Sequence, residues 1–294
     1  VLGSGDLSSF QGLKEIDMSK VWMITGANRG LGLEIARAAL AAGERVVATA
    51  RKPESVTKAL GENERLLALP LDVTEPDQAS AAVEAVMQKF GRIDVLVNNA
   101  GYGQFGPFEE ASHEEVEAQF RVNVFGTMHV TRAVLPTMRA QKSGRIFNIS
   151  SIAGLKGGSM ASLYCASKFA MEGWSEGLAG EVMPFGIQVT AVEPGFFRTD
   201  FLDASSVRYT EITQPEYQEG MTQLRGWLDG KNQQQEGDPA RLGQVLLEMA
   251  AKPEQPLHLL MGSDAVAWME DRIQRDTQST EEWRGVSVST DFIA

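Results

Sequence analysis

The segment 21–50 constrains the fold more than any other part of the chain. Val21-Trp22-Met23-Ile24 is a short apolar run that ends in Thr25-Gly26-Ala27-Asn28-Arg29-Gly30-Leu31-Gly32. Leu33, Ile35, Ala36, Ala39 and Leu40 then recur at helical spacing as far as Gly43, a C-terminal stop signal. Arg45-Val46-Val47-Ala48-Thr49-Ala50 follows as a second strand. Strand, glycine turn, helix and strand in this order make a βαβ unit, whose strands must lie parallel. Glycines at 26, 30 and 32 let the backbone turn sharply and approach a pyrophosphate, whose charge the helix N-terminus stabilises.

The same alternation continues downstream. Leu66-Leu67-Ala68-Leu69 reads as a strand before Asp72-Val73, and residues 78–90 as an alanine-rich amphipathic helix. Ile93-Asp94-Val95-Leu96-Val97 is a strand running into Asn98-Asn99-Ala100-Gly101, where short polar side chains can bond backbone groups beside a ligand. One long helix over 114–139 carries Asn123 in its middle, where asparagine is an indifferent helix former and serves either a local bond or a function. Arg145-Ile146-Phe147-Asn148-Ile149 is the fifth strand, and residues 161 onward form a helix. Ile187-Gln188-Val189-Thr190-Ala191-Val192 is the sixth strand, ending in Glu193-Pro194-Gly195. Together these predict an α/β fold with a parallel sheet covered on both faces.

Residues 196–237 break the pattern with scattered aromatics such as Phe201, Tyr209 and Trp227 and a run of glutamines. A long irregular insertion of this kind predicts a lid, here over an apolar ligand. A helix over 239–251, the strand Leu257-His258-Leu259-Leu260-Met261 and a helix over 264–275 complete one domain that begins at Met18. Residues 1–17, with Gly-Ser-Gly and Ser-Ser, read as an appended remnant or a flexible arm.

The fifth strand delivers Ser150 and Ser151 at its C-terminal end, where open parallel sheets place their ligands. In the helix that follows, Tyr164 and Lys168 stand four residues apart on one face. A tyrosine titrates near ~10, so it is a useful base at neutral pH only where a cation favours the phenolate. Lys168 is such a cation, although the same pair also occurs on ordinary helix faces. Gly173, Gly177 and Gly180 on this helix cost stability unless another backbone comes close, from the same chain or from a second subunit.

Composition narrows the partners. A net charge of −12, from 39 acidic and 27 basic residues, argues against nucleic acid and anionic membranes, so an anionic ligand needs a local basic site. No apolar run approaches ~18 residues and no basic-then-apolar leader is seen, so a cytoplasmic protein is expected. One cysteine, Cys165, excludes an intrachain disulfide and a cysteine-rich metal site. His113, His129 and His258 share no metal-ligand spacing, so no metal is expected.

T-G-x-x-x-G-x-G at 25–32, Asp72-Val73, N-N-A-G at 98–101, Asn123, Ser151, Y-x-x-x-K at 164–168 and Pro194-Gly195 occur in the order and approximate spacing of the short-chain dehydrogenases/reductases. Over residues 20–275 the chain resembles that family. Y-C-A-S-K-F-A and V-E-P-G-F-F-R-T are also similar to bacterial oxidoreductases related to hydroxysteroid and retinol dehydrogenases. The resemblance implies one Rossmann-like, doubly wound domain with a seven-stranded parallel sheet ordered 3-2-1-4-5-6-7.

It also implies roles. Tyr164 would exchange a proton with the substrate oxygen, Ser151 would bond that oxygen, Lys168 would lower the phenol's pKa and hold the nicotinamide ribose, and Asn123 would hold a relay water. Gly26, Asn28, Arg29, Gly30 and Leu31 would cradle the cofactor phosphates. Asp72 and Val73 would meet the adenine, Asn99, Ala100 and Gly101 the adenosine, and Pro194, Gly195 and Thr199 the nicotinamide. The substrate would be a small carbonyl or alcohol with an apolar part, and the assembly a homodimer or homotetramer. The cofactor reading rests on residues: Ala50 stands where NAD enzymes carry an acid, and Arg29 and Arg51 can bind a 2′-phosphate unless both are merely solvated. NADP(H) is therefore expected over NAD(H). The alternative to an enzyme is a cofactor-sensing or scaffold protein without turnover, but such proteins typically lack the tyrosine or the lysine.

Overall fold

The computed structural model describes residues 19–292 apart from residue 205, and the arm expected over 1–17 lies outside the described residues. In chain order the first half comprises β1 (Val21–Thr25), α1 (Gly30–Ala41), β2 (Arg45–Ala50), α2 (Glu54–Leu60), β3 (Leu66–Pro70), α3 (Pro76–Phe90), β4 (Val95–Asn98), β5 (Gly103–Phe105), α4 (His113–Phe120) and α5 (Thr127–Gln141). The second comprises β6 (Gly144–Ile149), α6 (Ser162–Val182), β7 (Ile187–Pro194), β8 (Val207–Tyr209), α7 (Gln218–Lys231), α8 (Pro239–Ala251), β9 (His258–Met261) and α9 (Ser263–Val288). Seven strands form one sheet in the order β3-β2-β1-β4-β6-β7-β9, every pair parallel. This is the doubly wound arrangement that the resemblance implies.

The strands are apolar in both phases because both faces are covered. On one face Val21 and Met23 meet Val83 and Val86 of α3, Val130, Val134 and Met138 of α5, and Leu178 of α6. On the other, Trp22 and Ile24 meet Ile35, Ala36 and Ala39 of α1 and Leu242 and Leu246 of α8. Trp22 and Phe147 stack there with centroids 6.4 Å apart. Burying each such side chain contributes about 1.5–3 kcal/mol. Helix starts are set by local chemistry: Ser112 and Glu115 close a capping box on α4, and the Asp238 side chain accepts from the Ala240 and Arg241 amides ahead of Pro239 on α8.

The structure departs from the sequence reading in several places. The single helix expected over 114–139 is interrupted by a π turn, Arg121–Gly126, which carries Asn123 between α4 and α5. The wider turn accommodates the residue that propensity marked as ill suited to a helix. Residues 196–237 are not irregular throughout. β8 pairs with β5 in a separate two-stranded sheet, and α7 fills 14 residues, its signal weakened by Gly220, Gly226 and Gly230. The last helix runs to Val288 and not to 275; its outer part is exposed throughout, and its few apolar residues, Trp283, Val286 and Val288, do not recur along its length as a buried stripe would. The short helix α2, with Val56 as its one buried residue, was also not expected.

Candidate active site

The glycine turn and the turn after β4 are tied together. Asn99 Nδ2 donates to the carbonyls of Thr25 (2.9 Å) and Gly26 (3.1 Å), while Thr25 Oγ1 accepts from the Asn99 (2.9 Å) and Ala100 (3.0 Å) amides. Gly26 takes φ +64°, and a Cβ on Gly32 would lie 2.4 Å from Asn99 Nδ2 and 2.6 Å from the Gly26 carbonyl oxygen. Both positions therefore require glycine. Among the described residues no side chain caps α1, so its first amides are left for an anion.

That helix end opens into a cavity of about 620 Å³ at the C-terminal ends of the sheet strands. It is lined by Gly26, Asn28, Arg29, Gly30 and Leu31, by Arg51, Asp72 and Val73, and by Asn99, Ala100 and Gly101. Pro194, Gly195 and Thr199 line it too, as do Ser151, Tyr164 and Lys168. Five basic side chains, Arg29, Arg51, Lys156, Lys168 and Arg208, line it against two carboxylates, Asp72 and Asp200. In a chain with a net charge of −12 this is the local basic site that an anionic ligand needs. Asp72 Oδ1 is held by the amide (3.0 Å) and hydroxyl (2.7 Å) of Thr74. The uncapped helix end, the glycine cradle and the basic lining fit a dinucleotide bearing several phosphate charges.

The Tyr164 ring stands edge-on to Phe105 (5.7 Å) and tilted against Phe201 (5.8 Å), with Lys168 Nζ 5.9 Å from its centroid. Ser151 Oγ accepts from the Ala153 amide at 3.1 Å, which fixes the side chain at the start of a short 3₁₀ turn, Ile152–Gly154. Burial pushes the Tyr164 phenol well above its ordinary pKa, opposed by the Ser151 hydroxyl. The expectation that Lys168 lowers this phenol meets a second effect of burial, which acts on the lysine as well. Burial has lowered Lys168 itself to about 8, with the Glu172 charge pulling it back up, and its ammonium donates to the Ile149 carbonyl at 2.8 Å.

Asn123 does not line the cavity but stands behind its wall. Its Oδ1 accepts from the Tyr102 amide (3.1 Å), and its Nδ2 donates to the Tyr102 carbonyl (3.0 Å) and to Ser167 Oγ (3.2 Å). The side chain thus clamps the segment after Gly101 onto α6, and both amide hydrogens are committed. Its backbone carbonyl accepts from Thr127 Oγ1 at 2.9 Å. Sequence reasoning missed a group beneath the site: Glu172 of α6, Glu193 of β7 and His258 of β9 meet behind Lys168. The spacing of Glu172, four residues after Lys168, and an acid at the end of a buried strand were the available signals.

A family model described as short chain dehydrogenase matches residues 20–209. Oxidoreductase BOA17 of Botryotinia fuckeliana (strain B05.10) is 40% identical over 275 residues, covering 93% of this chain and 100% of that protein. A 3-ketodihydrosphingosine reductase of Bacteroides thetaiotaomicron is 36% identical over 265 residues, 87% of this chain and 95% of that one. Among solved structures, a short-chain dehydrogenase from Streptomyces avermitilis aligns with a TM-score of 0.83 at 40% identity, over 93% of this chain and 99% of that chain. A short chain dehydrogenase/reductase from Burkholderia phymatum in complex with NAD aligns at 0.76 and 25% identity, over 89% and 95% of the two chains. ElxO with NADP bound aligns at 0.70 and 26%, over 85% and 100%.

Proposed function

Because the chain belongs to the short-chain dehydrogenase family, and is thereby an oxidoreductase, we propose that it interconverts a carbonyl and an alcohol with NADP(H), using Tyr164 as general acid and base. The observation that carries the reading is one cavity lined by basic side chains, an uncapped helix end and the trio Ser151, Tyr164 and Lys168.

The nicotinamide, when bound, supplies or takes the hydride. The chain's own residues handle the proton. Buried and raised in pKa, the Tyr164 phenol is neutral at physiological pH and can donate its hydrogen bond to a carbonyl oxygen. An alkoxide developing on that oxygen is a far stronger base than a phenolate, so the proton moves to it, and the Ser151 hydroxyl steadies the same oxygen. Lys168, charged below about pH 8, opposes the negative charge left on Tyr164. In this reading Asn123 contributes by holding the Tyr102 segment against α6, and a relay water near it is part of the proposal.

Arg29 and Arg51 beside Ala50 favour the 2′-phosphate, whereas relatives of this fold bind NAD in one case and NADP in another. Phe105, Phe201, Leu202, Leu224 and Leu228 beside Tyr164 suit a substrate with an apolar part, in keeping with a relative named as a 3-ketodihydrosphingosine reductase. Residues 196–237 supply four of these five side chains and act as the lid. The proposed assembly is a homodimer or homotetramer through α6. The test is consumption of reduced nicotinamide across a panel of apolar ketones and aldehydes. Turnover that is abolished in Tyr164→Phe supports the reading, and failure with every carbonyl on the panel overturns it.

A further inference from the structure

Beneath Lys168 lies a set of charges that the reaction above does not use. Glu172 follows Lys168 by one turn of α6, and its side chain is 7% exposed; Glu193, near the end of β7, is fully buried. His258, at the start of β9, faces both. Its Nδ1 lies 2.7 Å from Glu193 Oε1 and 3.4 Å from Glu172 Oε2, and its Nε2 lies 3.4 Å from Glu176 Oε1 nearer the surface. Both Glu172 oxygens, Glu193 Oε2 and Ser150 Oγ are buried without a hydrogen-bond partner of proper geometry among the described residues. Two desolvated carboxylates converging on one imidazole are costly unless that imidazole is a cation.

We propose that protonated His258 is the cation on which this buried pair depends, and that Glu172 passes its charge state to Lys168, making both of them positioning residues for the active-site ammonium. The groups facing the cluster are Lys168, Glu172 and Glu176 on α6, Ser150 beyond β6, Glu193 on β7 and His258 on β9. Their influences form a consistent sequence. Burial lowers His258, but the hydrogen bond to Glu193 and the charges of Glu193, Glu172 and Glu176 outweigh it and leave its pKa raised. Burial holds Glu172 far above the usual carboxylate range, with the Ser150 hydroxyl lowering it, Glu193 raising it and His258 pulling it down. An ionised Glu172 in turn raises Lys168. Loss of the His258 proton therefore lets Glu172 take one up, and Lys168 loses its counter-charge. A partly exposed histidine on the last strand of the sheet thereby sets the charge of a buried lysine in the active site.

The inference rests on Lys168 opposing the negative charge left on Tyr164 in the proposed reaction, so the experiment reads Lys168 directly. The full chain is acetylated with traces of acetic anhydride across a pH series, and modification of Lys168, which lines the cavity, is quantified by mass spectrometry. The unmutated protein should show a reactivity midpoint near about 8. Glu172→Gln and His258→Gln should each lower it by about one unit, whereas His258→Arg, which keeps a charge that cannot titrate, should leave it in place. A role confined to packing would reduce stability in His258→Gln without moving the midpoint. An unmoved midpoint in His258→Gln overturns the proposal, and this variant decides the matter even if Glu172→Gln does not fold. Absence of turnover with every carbonyl would count against the proposed reaction alone, because the labelling needs no substrate.

Discussion

Replacing Ala50 by Asp and Arg51 by Ala should move cofactor preference from NADP(H) toward NAD(H). Ala50 ends β2, is 6% exposed and pairs with Pro70 of β3, and its carbonyl accepts from the Leu71 amide at 3.0 Å. The backbone there is fixed, so a carboxylate added at 50 stays at the cavity wall, placed to bond a ribose 2′-hydroxyl and to repel a 2′-phosphate. A charge-assisted hydrogen bond contributes about 1.5–3 kcal/mol. Arg51 is exposed, so water and salt screen it and the low end of that range applies. At ~1.4 kcal/mol per factor of ten, its loss should cost NADP(H) about tenfold. Repulsion by the introduced carboxylate adds to this, with less than full additivity because the two sites adjoin. The unmutated protein should therefore favour NADP(H) by about tenfold or more in kcat/KM, and the double variant should erase or reverse that ratio. The assay is kcat/KM with each reduced cofactor at a fixed carbonyl concentration, beside fluorescence titrations of cofactor affinity and a melting curve to separate folding from recognition. Equal use of both cofactors by the unmutated protein would refute the reading of Arg29 and Arg51, as would a double variant that keeps the preference.

Gly32→Ala should weaken cofactor affinity and destabilise the fold by about 1–3 kcal/mol, since one of the colliding atoms is the Gly26 carbonyl oxygen, which cannot rotate away. Unchanged melting and affinity would contradict it. At Gly173, Gly177 and Gly180 an added Cβ meets nothing within 4 Å among the described residues, so no packing seen within the protomer calls for these glycines. Gly177→Trp should then break the proposed assembly and leave a folded protomer, as read by light scattering; an unmutated protein that is monomeric at micromolar concentration would refute the interface. The raised pKa of His258 means that the stability it lends is complete below about 6.5, its unfolded value, and is lost as pH rises through the higher folded value. The urea midpoint should accordingly fall over that interval, and fall less in His258→Gln.

The sheet was legible because its strands are apolar in both phases and are delimited by glycine turns, as at Val21–Thr25 and Arg45–Ala50. Residues spread over more than half the chain, from Gly26 to Thr199, were assigned to one site from their motifs, and the cavity gathers all of them except Asn123. Asn123 was singled out, but the π turn that carries it was not, because such a turn is set by tertiary contacts, here with Tyr102 and Ser167, and has no local periodicity. α7 was hidden by its glycines, whose helix cost is offset by Met221 and Leu228 packing into the cluster around Tyr164. The Glu172, Glu193 and His258 group left only two faint signals, the spacing of Glu172 from Lys168 and an acid near the end of a buried strand. Its members come from α6, β7 and β9, and sequence spacing carries no information on a juxtaposition made by the order of strands in a sheet. The depth to which Tyr164 and Lys168 are buried, which raises the phenol and lowers the ammonium, was likewise not legible from their spacing.

The most direct test of the central claim is turnover by Tyr164→Phe with cofactor affinity measured on the same preparation. The ring contacts with Phe105 and Phe201 survive this change, so folding and the cavity walls should persist while one oxygen and its proton are removed. General acid-base catalysis supplies about 10²–10⁴-fold, and the account predicts a loss of kcat at least that large with cofactor affinity unchanged within a few-fold. A variant that retains activity within about tenfold of the unmutated protein would show that Tyr164 does not carry the proton.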